Sequence, residues 1–450
     1  MAFLIRLTAF SVACAAAQEA AQPRYILLNT LYRDPPNETF LAVSRALAAA
    51  AHGPVAENPA LKVGISTLFS LLQGPSGGMV PWNPAAGQLY GTQRIEALLN
   101  ASLETRVPVF FGIDSENWWS ESNLTNWWDP ARPGYDPANR YNVEWMAPDG
   151  ATNDASVLKV SWRNWGRQLR VSPQQNIHSP AAMSRVKTAL GMVIPVIVSW
   201  YNRLAIEDRW LFAGIKVGWE ASIGWNAYYY QGGNQIFEQH PDDEASDPKT
   251  GLNHSAPGAA WGEVQLGYAA ARSAGLAPSG PNGTLTRADI ASLLHMYLAN
   301  LTVEVASHGF PLDRLYTHLG GTLVSHAGES PTVPFAAGIT GSDPLTSSTL
   351  GISVYAQPPG EQPTLGTDLQ REQPAGGNRW ASVEWGLARG GQNLSLWVDA
   401  YNATLSWGDC RLLAYYNWNP GDQNNNNCLV AARTLLDHWR VPKRPHVYEA

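Results

Sequence analysis

One stretch of the sequence, residues 211–221, reads LFAGIKVGWEA. Its mostly apolar residues are typical of a strand that is buried on both faces, as the strands of parallel sheets are. The stretch ends on Trp219, Glu220 and an alanine, and a second run at residues 380–385, WASVEW, ends on a glutamate and a tryptophan. Both stretches therefore predict buried strands that carry a carboxylate at the carboxyl end.

Apolar runs of this kind recur eight times along the chain, and most are followed by an amphipathic helical pattern. Strands that alternate with helices predict a parallel sheet, and eight such units predict a closed (β/α)₈ TIM barrel, with a doubly wound sheet as the alternative. The predicted strands are Tyr25–Leu31, Leu61–Ser66, Val107–Asp114, Leu211–Ala221, Arg314–Leu319, Gly351–Ala356, Trp380–Trp385 and Leu412–Trp418.

The helices between these strands are predicted from apolar residues that repeat on one face of a helix. One helix follows a capping pair, Thr286 and Asp289. The asparagines at 424–427 predict a polar loop instead. The predicted helices are Glu38–His52, Thr92–Arg106, Ala182–Asp208, Arg287–His308, Leu394–Leu405 and Leu429–Trp439.

Two connections between the predicted strands are long. Ser115–Pro180 follows the third strand and Ser222–Gly258 follows the fourth. Insertions after the strands of a barrel lie at the carboxyl-end rim, where barrel enzymes build their sites. We expect both connections to form walls around a substrate, and we expect residues 18–450, which contain no low-complexity linker, to form one catalytic domain.

The composition excludes several classes of partner. Thirty Lys and Arg against 37 Asp and Glu give a formal net charge of −7, which argues against a nucleic-acid partner. Nineteen Trp and seventeen Tyr supply many rings that can stack on sugars. Zinc-binding histidine spacings and a dinucleotide fingerprint are missing, so we expect no metal and no cofactor. Asp242-Asp243-Glu244 is interpreted as a solvated turn.

The N-terminus predicts export from the cell. Residues 1–17 contain Arg6, an apolar run and small residues before a cleavage point, as a secretory signal peptide does. No later stretch has eighteen uninterrupted apolar residues, so no membrane partner is expected. Cys410 and Cys428 remain after cleavage, and an oxidising compartment would pair them in a disulfide. Glycosylation is predicted at eight Asn-X-Ser/Thr sites, Asn37, Asn100, Asn123, Asn253, Asn282, Asn300, Asn393 and Asn402.

The two strand-end glutamates suggest a chemistry. A glycosidic bond is cleaved by one carboxylic acid that protonates the leaving oxygen and one carboxylate that attacks the anomeric carbon or activates water. Glu220 and Glu384 end the fourth and seventh of the eight predicted strands. In this respect the chain resembles the (β/α)₈ glycoside hydrolases of clan A, the 4/7 superfamily. The resemblance implies that Glu220 is the acid/base, that Glu384 is the nucleophile and that the anomeric configuration is retained.

Two alternatives to this interpretation stay open, because Trp219 stands where clan A members commonly have Asn. One is an inverting hydrolase that pairs Asp114 with one of the glutamates. The other is a carbohydrate-binding barrel without catalysis. In each case the expected partner is an oligosaccharide or polysaccharide of a cell wall or matrix.

The remaining candidates are side chains at the strand ends that we expect to bind substrate. Aromatic rings stack on the C–H faces of pyranoses, and polar groups bind the hydroxyls. The candidates are Asn29, Asp114, Glu116, Trp118, Trp119, Trp219, Trp225, His318, Tyr355, Trp385, Asn417 and Trp418.

Overall fold

A computed structural model shows a closed barrel of parallel strands. It describes residues 23–30, 36–48, 60–70, 87–114, 122–164, 168–171, 173–221, 223, 227–228, 234–235, 238, 265–319, 348–355, 379–387, 393–418 and 423–439. In chain order the strands are β1 (Arg24–Thr30), β2 (Leu61–Ser70), β3 (Val109–Asp114), β4 (Ser161–Asn164), β5 (Gln168–Val171), β6 (Phe212–Ala221), β7 (Ala227–Tyr228), β8 (Leu315–Leu319), β9 (Leu350–Tyr355), β10 (Arg379–Gly386) and β11 (Asp409–Trp418).

Eight of these strands close the barrel in the order β1-β11-β10-β9-β8-β6-β3-β2. Each predicted strand overlaps one of them, so the (β/α)₈ barrel is confirmed and the doubly wound sheet is excluded. Alternate residues of the strands separate two apolar clusters. A small cluster fills the barrel interior with Tyr25, Leu27, Phe110, Tyr316 and Val383 among its members. A larger one lies between the strands and the helices around them.

The helices lie close to the predicted positions. They are α1 (Pro36–Ala48), α2 (Gly87–Thr105), α3 (Ser122–Thr125), α4 (Pro180–Arg203), α5 (Tyr268–Ala274), α6 (Arg287–Ser307), α7 (Leu394–Ser406) and α8 (Gln423–His438). Thr286 and Asp289 form the predicted capping box before α6. The asparagines at 424–427 lie inside α8, so the predicted loop was wrong there; burial of Ala431, Ala432 and Leu435 on the same helix outweighs the weak helix preference of asparagine.

Two helices, Pro180–Arg203 and Ala288–Ser307, are long and apolar enough by composition to cross a membrane. In α4 the residues Val186, Leu190 and Ile197 are buried in the large cluster. In α6 the same holds for Leu294 and Leu301. Packing on the barrel therefore accounts for the apolar composition of both helices.

The amino ends of the strands form a sealed end of the barrel. Arg314 is buried and donates from Nη1 to the Tyr25 hydroxyl at 3.0 Å, and that hydroxyl donates to the Trp210 carbonyl at 3.1 Å. The Lys62 ammonium lies 4.3 Å from the centre of the Trp210 ring, and burial lowers the pKa of Lys62 to about 8. The side chains of Arg314, Tyr25 and Lys62 thus fill the interior at the amino ends of the strands.

The long connection after β3 is held together by buried amide side chains. Asn126 donates to the carbonyls of Asp129 and Arg132, and Asn139 donates to the carbonyl of Asn126. Its short strands β4 and β5 form an antiparallel sheet with β7, which belongs to the connection after β6. This sheet thus joins the two long connections, which were predicted to form walls of a pocket, to each other.

Glu144 in this connection is a completely buried acid. Its Oε2 accepts from the backbone N–H of Gly267 at 3.0 Å and of Trp145 at 3.3 Å, and so it joins the connection to the start of α5. Burial raises the pKa of Glu144 to about 8, although the backbone hydrogen bonds act in the opposite direction. The protonated form of Glu144 is therefore the form that the fold favours.

We predict that Glu144 makes the protein less stable as pH rises. Because the pKa of Glu144 is higher in the folded chain than in the unfolded chain, the stability it contributes is full below about pH 4.5 and is lost as pH rises through about 8. Glu144→Gln keeps an acceptor and removes the titration. The free energy of unfolding in urea, measured from pH 5 to 8, should fall less steeply for Glu144→Gln than for the wild type. Glu96→Gln, an exposed glutamate of α2, should follow the wild type, and equal slopes for all three proteins would contradict the assignment.

Cys410 and Cys428 are buried thiols that form no disulfide, so the predicted disulfide was wrong. Cys410 lies eight residues before the end of β11, roughly 26 Å along a strand, whereas Cys428 lies five residues into α8, roughly 7.5 Å along a helix. The Cys410 thiol donates to the Leu412 carbonyl at 3.4 Å within β11, whereas the Cys428 thiol lies beside the Tyr401 hydroxyl of α7, so the two thiols have different partners. Burial raises the pKa of both thiols to about 12.

Thiol alkylation checks this correction. Without reductant, iodoacetamide should leave Cys410 and Cys428 unmodified in the folded protein, because both are buried and protonated. After unfolding, still without reductant, both should be alkylated, as peptide mass spectrometry would show. If the two thiols reacted only after reduction, the result would show that Cys410 and Cys428 do form the predicted disulfide.

Candidate functional site

Glu384 reaches the barrel interior because β10 contains a bulge. Ser382 pairs with Ile352 and Glu384 pairs with Ser353, so β10 uses two residues where β9 uses one. Val383 belongs to the interior cluster, and the extra residue places Glu384 on the same side as Val383. The Ser382 hydroxyl donates to the Glu384 carbonyl at 3.3 Å across this bulge. The carboxylate is consequently buried, at 4% exposure, beside the side chain of Lys216.

A second bulge brings Lys216 to the same place. On β6, Phe212 pairs with Val109 and Gly214 pairs with Phe110, so β6 also carries one extra residue. Gly214 has a φ of +130°, and a Cβ there would lie 2.2 Å from the Arg314 carbonyl oxygen, so only glycine fits. Beyond the bulge, Lys216 points into the barrel.

Gly112 on β3 makes the room that Lys216 occupies. It is the register partner of Lys216, and a Cβ at Gly112 would lie 2.7 Å from Lys216 Cε and 2.6 Å from Leu68 Cδ2. The Lys216 side chain therefore lies across the glycine, where any larger residue would displace it.

Four side chains from four neighbouring strands meet in this layer. Lys216 Nζ lies 3.6 Å from Glu384 Oε2 and 3.0 Å from His318 Nδ1. His318 Nε2 lies 2.8 Å from Ser353 Oγ and 4.0 Å from Glu384 Oε2. Since Lys216 is 1% exposed and His318 is completely buried, these contacts lie in a water-poor environment that strengthens them.

His318 is neutral in this arrangement. Burial, and then the charge of Lys216, hold the pKa of His318 well below its ordinary value. Its Nδ1 faces the Lys216 ammonium at 3.0 Å, and its Nε2 faces the Ser353 hydroxyl at 2.8 Å.

Asn29 and Ser66 add two oxygens that lack partners to the same end of the barrel. They are register partners on β1 and β2, and both are buried. Within the described part of the chain, Asn29 Oδ1 and Ser66 Oγ have no hydrogen-bond partner. Buried polar atoms are normally paired, so such oxygens are typical of places where a water or a ligand hydroxyl binds.

Two of the tryptophans that were predicted to bind substrate lie between the strands and the helices instead of in the barrel interior. Trp385 is completely buried on the outer side of β10, where its ring centre lies 5.0 Å from that of Tyr401 and its Nε1 donates to Thr404 Oγ1 at 3.2 Å. The bulge that turns Glu384 inward turns Trp385 outward. Trp418 is also buried in the cluster between strands and helices. Both rings pack the barrel against its helices and are removed from the predicted substrate-binding set.

Several predicted site residues have side chains that the structure does not describe. For five of them the backbone is described and lies at a strand end: Asp114, Trp219, Glu220, Tyr355 and Asn417. Others lie wholly outside the described residues: Glu116, Trp118, Trp119, Trp225 and the acidic stretch 242–244. Asn29, His318 and Glu384 are brought to the same end of the barrel interior.

Sequence reasoning missed Lys216, Ser66 and Ser353. A lysine inside an apolar run is itself a signal, because a buried ammonium needs a charged or polar partner. Gly214, two residues before Lys216, marks the irregular pairing that turns the lysine into the barrel. The two serines have no comparable signal in the sequence.

No family model and no curated protein matches the sequence. Among solved structures, the chain is similar to the tandem GH20 catalytic modules of the pneumococcal exo-β-D-N-acetylglucosaminidase, with 8% identity, a TM-score of 0.38 and coverage of 94% of this chain and 86% of that chain. It is also similar to the GH26-CBM35 β-(1,4)-mannanase of Podospora anserina, with 13% identity, a TM-score of 0.31 and coverage of 94% and 65%. Both are glycoside hydrolases, and at these values the likeness assigns neither a clan nor a substrate to this chain. The resemblance to clan A stays a prediction.

Replacing Gly112 tests the packing of the site. We expect Gly112→Ala to lower the free energy of unfolding by about 1–3 kcal/mol, because the added methyl group collides with Lys216 and Leu68. Chemical denaturation measures the change. Gly191→Ala on α4 is the control, since a Cβ there meets nothing closer than 3.7 Å, and we expect it to be neutral or stabilising by up to about 1 kcal/mol. Equal effects of the two substitutions would contradict the close contact at Gly112.

Proposed function

We propose that this protein is a glycoside hydrolase in which Glu384 acts as a carboxylate at the open end of a (β/α)₈ barrel. The observation that carries the proposal is the bulge in β10, which turns Glu384 into the barrel interior within 3.6 Å of the Lys216 ammonium. A neighbouring cation favours the ionised form of a carboxylate, which is the form that attacks an anomeric carbon. Barrel enzymes carry their chemistry at this end of the strands.

The proposed mechanism retains the anomeric configuration. The carboxyl group of Glu220 donates its proton to the glycosidic oxygen, the bond from that oxygen to the anomeric carbon breaks, and Glu384 bonds to the anomeric carbon. Water then attacks the glycosyl-enzyme, gives its proton to the Glu220 carboxylate and releases Glu384. Glu220 has this role by resemblance and by its place at the end of β6.

The proposed substrate is an oligosaccharide or polysaccharide of a cell wall or matrix. Asn29 and Ser66 supply oxygens that suit sugar hydroxyls, since both are buried and lack partners within the described residues. Rings of the predicted set that lie outside the described side chains are proposed to stack on the sugar: Trp118, Trp119, Trp219, Trp225 and Tyr355.

We also propose that the protein is secreted and glycosylated. The signal-like residues 1–17 lie outside the described part of the chain. The predicted attachment asparagines that the structure describes are exposed, as attachment of a glycan requires; they are Asn100, Asn123, Asn282, Asn300, Asn393 and Asn402.

Activity screening tests the proposed function. On a panel of aryl glycosides and polysaccharides, we expect the wild type to hydrolyse at least one substrate with retention, as NMR of the first anomer formed would show. Glu220→Gln should lower the rate by about 10²–10⁴-fold on an unactivated substrate, because proton donation is lost. Glu384→Gln should remove turnover, while Glu96→Gln, an exposed glutamate, should leave it unchanged.

The opposing outcomes identify the alternatives. Inversion of the anomer, together with loss of activity in Asp114→Asn, would favour the inverting mechanism. Sugar binding without turnover would favour a carbohydrate-binding barrel. Full activity of a folded Glu384→Gln protein would contradict the proposal.

A further inference from the structure

We infer that Lys216 is a positioning residue of the site: it holds Glu384 in the ionised, attacking form and fixes His318 as the neutral imidazole with its proton on Nε2. The first half of this inference rests on the proposed function of Glu384. The second half concerns the hydrogen-bond geometry and holds whatever the reaction is.

The argument begins with the burial of Lys216. At 1% exposure its ammonium is removed from water, and a buried charge persists only where opposite charge or hydrogen-bond acceptors surround it. Glu384 supplies the charge at 3.6 Å and His318 supplies an acceptor at 3.0 Å. Lys216 therefore faces the two groups at once, and its position depends on both.

Among the described side chains, the ion-pair partners of Glu384 are Lys216 and His318. From β8 the titratable group is His318, which is neutral because burial and Lys216 lower its pKa. From β10 it is Glu384, and β9 contributes the uncharged Ser353. The remaining carboxyl groups at nearby strand ends, those of Asp114 and Glu220, belong to side chains outside the described residues.

The direction of the hydrogen bonds follows from the donors available. Lys216 donates to His318 Nδ1, His318 Nε2–H donates to Ser353 Oγ, and neither ring nitrogen can exchange roles while the ammonium is present. If Lys216 were replaced by an apolar residue, His318 Nδ1 would lose its donor and the like charge that opposes protonation would vanish. Glu384 would lose its cation at the same time.

Lys216→Met tests the inference, because methionine is of similar length and has no charge. We expect the acidic limb of the kcat/KM against pH profile to move upward by about 1–3 pH units, since an opposite charge at this distance shifts the protonation of a carboxyl group by that amount. The control is Lys187→Met on α4, a half-exposed lysine that faces Glu304, which should keep the wild-type profile. An equal loss of rate at every pH in Lys216→Met would mark a structural role and overturn the inference.

A second measurement needs no activity. The nitrogen chemical shifts of ¹⁵N-histidine-labelled protein, with His318 assigned by loss of its signals in His318→Gln, report the tautomer directly. We expect an unprotonated Nδ1 and a protonated Nε2 from pH 5 to 8 in the wild type, and protonation at higher pH in Lys216→Met. A proton on Nδ1 in the wild type would overturn the inference, even if Lys216→Met failed to fold.

A third measurement separates this inference from the proposed function. If no glycoside is hydrolysed, infrared difference spectra of the wild type against Glu384→Gln still report whether Glu384 is a carboxylate near pH 5. A carboxylate that becomes protonated at that pH in Lys216→Met supports the inference without turnover. A protonated Glu384 in the wild type overturns it.

Discussion

The interior of this barrel depends on one buried ion pair, between Lys216 and Glu384. An isolated charge in such a place would cost several kcal/mol, and each of the two residues lowers that cost for the other. Neither side chain would face the barrel without a bulge in its own strand, at Gly214 in β6 and at Val383–Glu384 in β10. The glycine at 112 then leaves the space that the lysine fills. The two bulges, the glycine at 112 and the ion pair depend on one another. A change in any of them would increase the distance between the Lys216 ammonium and the Glu384 carboxylate.

The two ends of the barrel differ in chemistry. At the amino ends of the strands, Arg314 and Tyr25 fill the interior and close it. Towards the carboxyl ends, the interior contains a layer of polar side chains, those of Lys216, His318, Ser353 and Glu384. This asymmetry is typical of barrels that bind ligands at the carboxyl ends of their strands. The case for export now depends on residues 1–17 and the exposed glycosylation sites, because the cysteines no longer contribute to it.

The order and number of the strands could be predicted from the sequence, because long apolar runs separated by helical patterns carry a strong signal. The side of the sheet to which each individual side chain points could not be predicted. Glu384 and Trp385 were both expected in the pocket, yet adjacent residues of a strand point to opposite sides, and the bulge selects Glu384. Nothing in WASVEW marks that bulge, whereas Gly214 marks the one in β6. The supposed disulfide failed for a related reason: a short separation in sequence hides the different rise of a strand and a helix.

Covalent trapping of the reaction intermediate tests the central claim most directly. A 2-deoxy-2-fluoro glycosyl fluoride of the sugar that the protein hydrolyses would slow the second step more than the first and accumulate the glycosyl-enzyme. Peptide mass spectrometry should then find the fluoroglycosyl group on Glu384. Its attachment to any other side chain, or an inactivated protein that carries no label, would contradict the role assigned to Glu384.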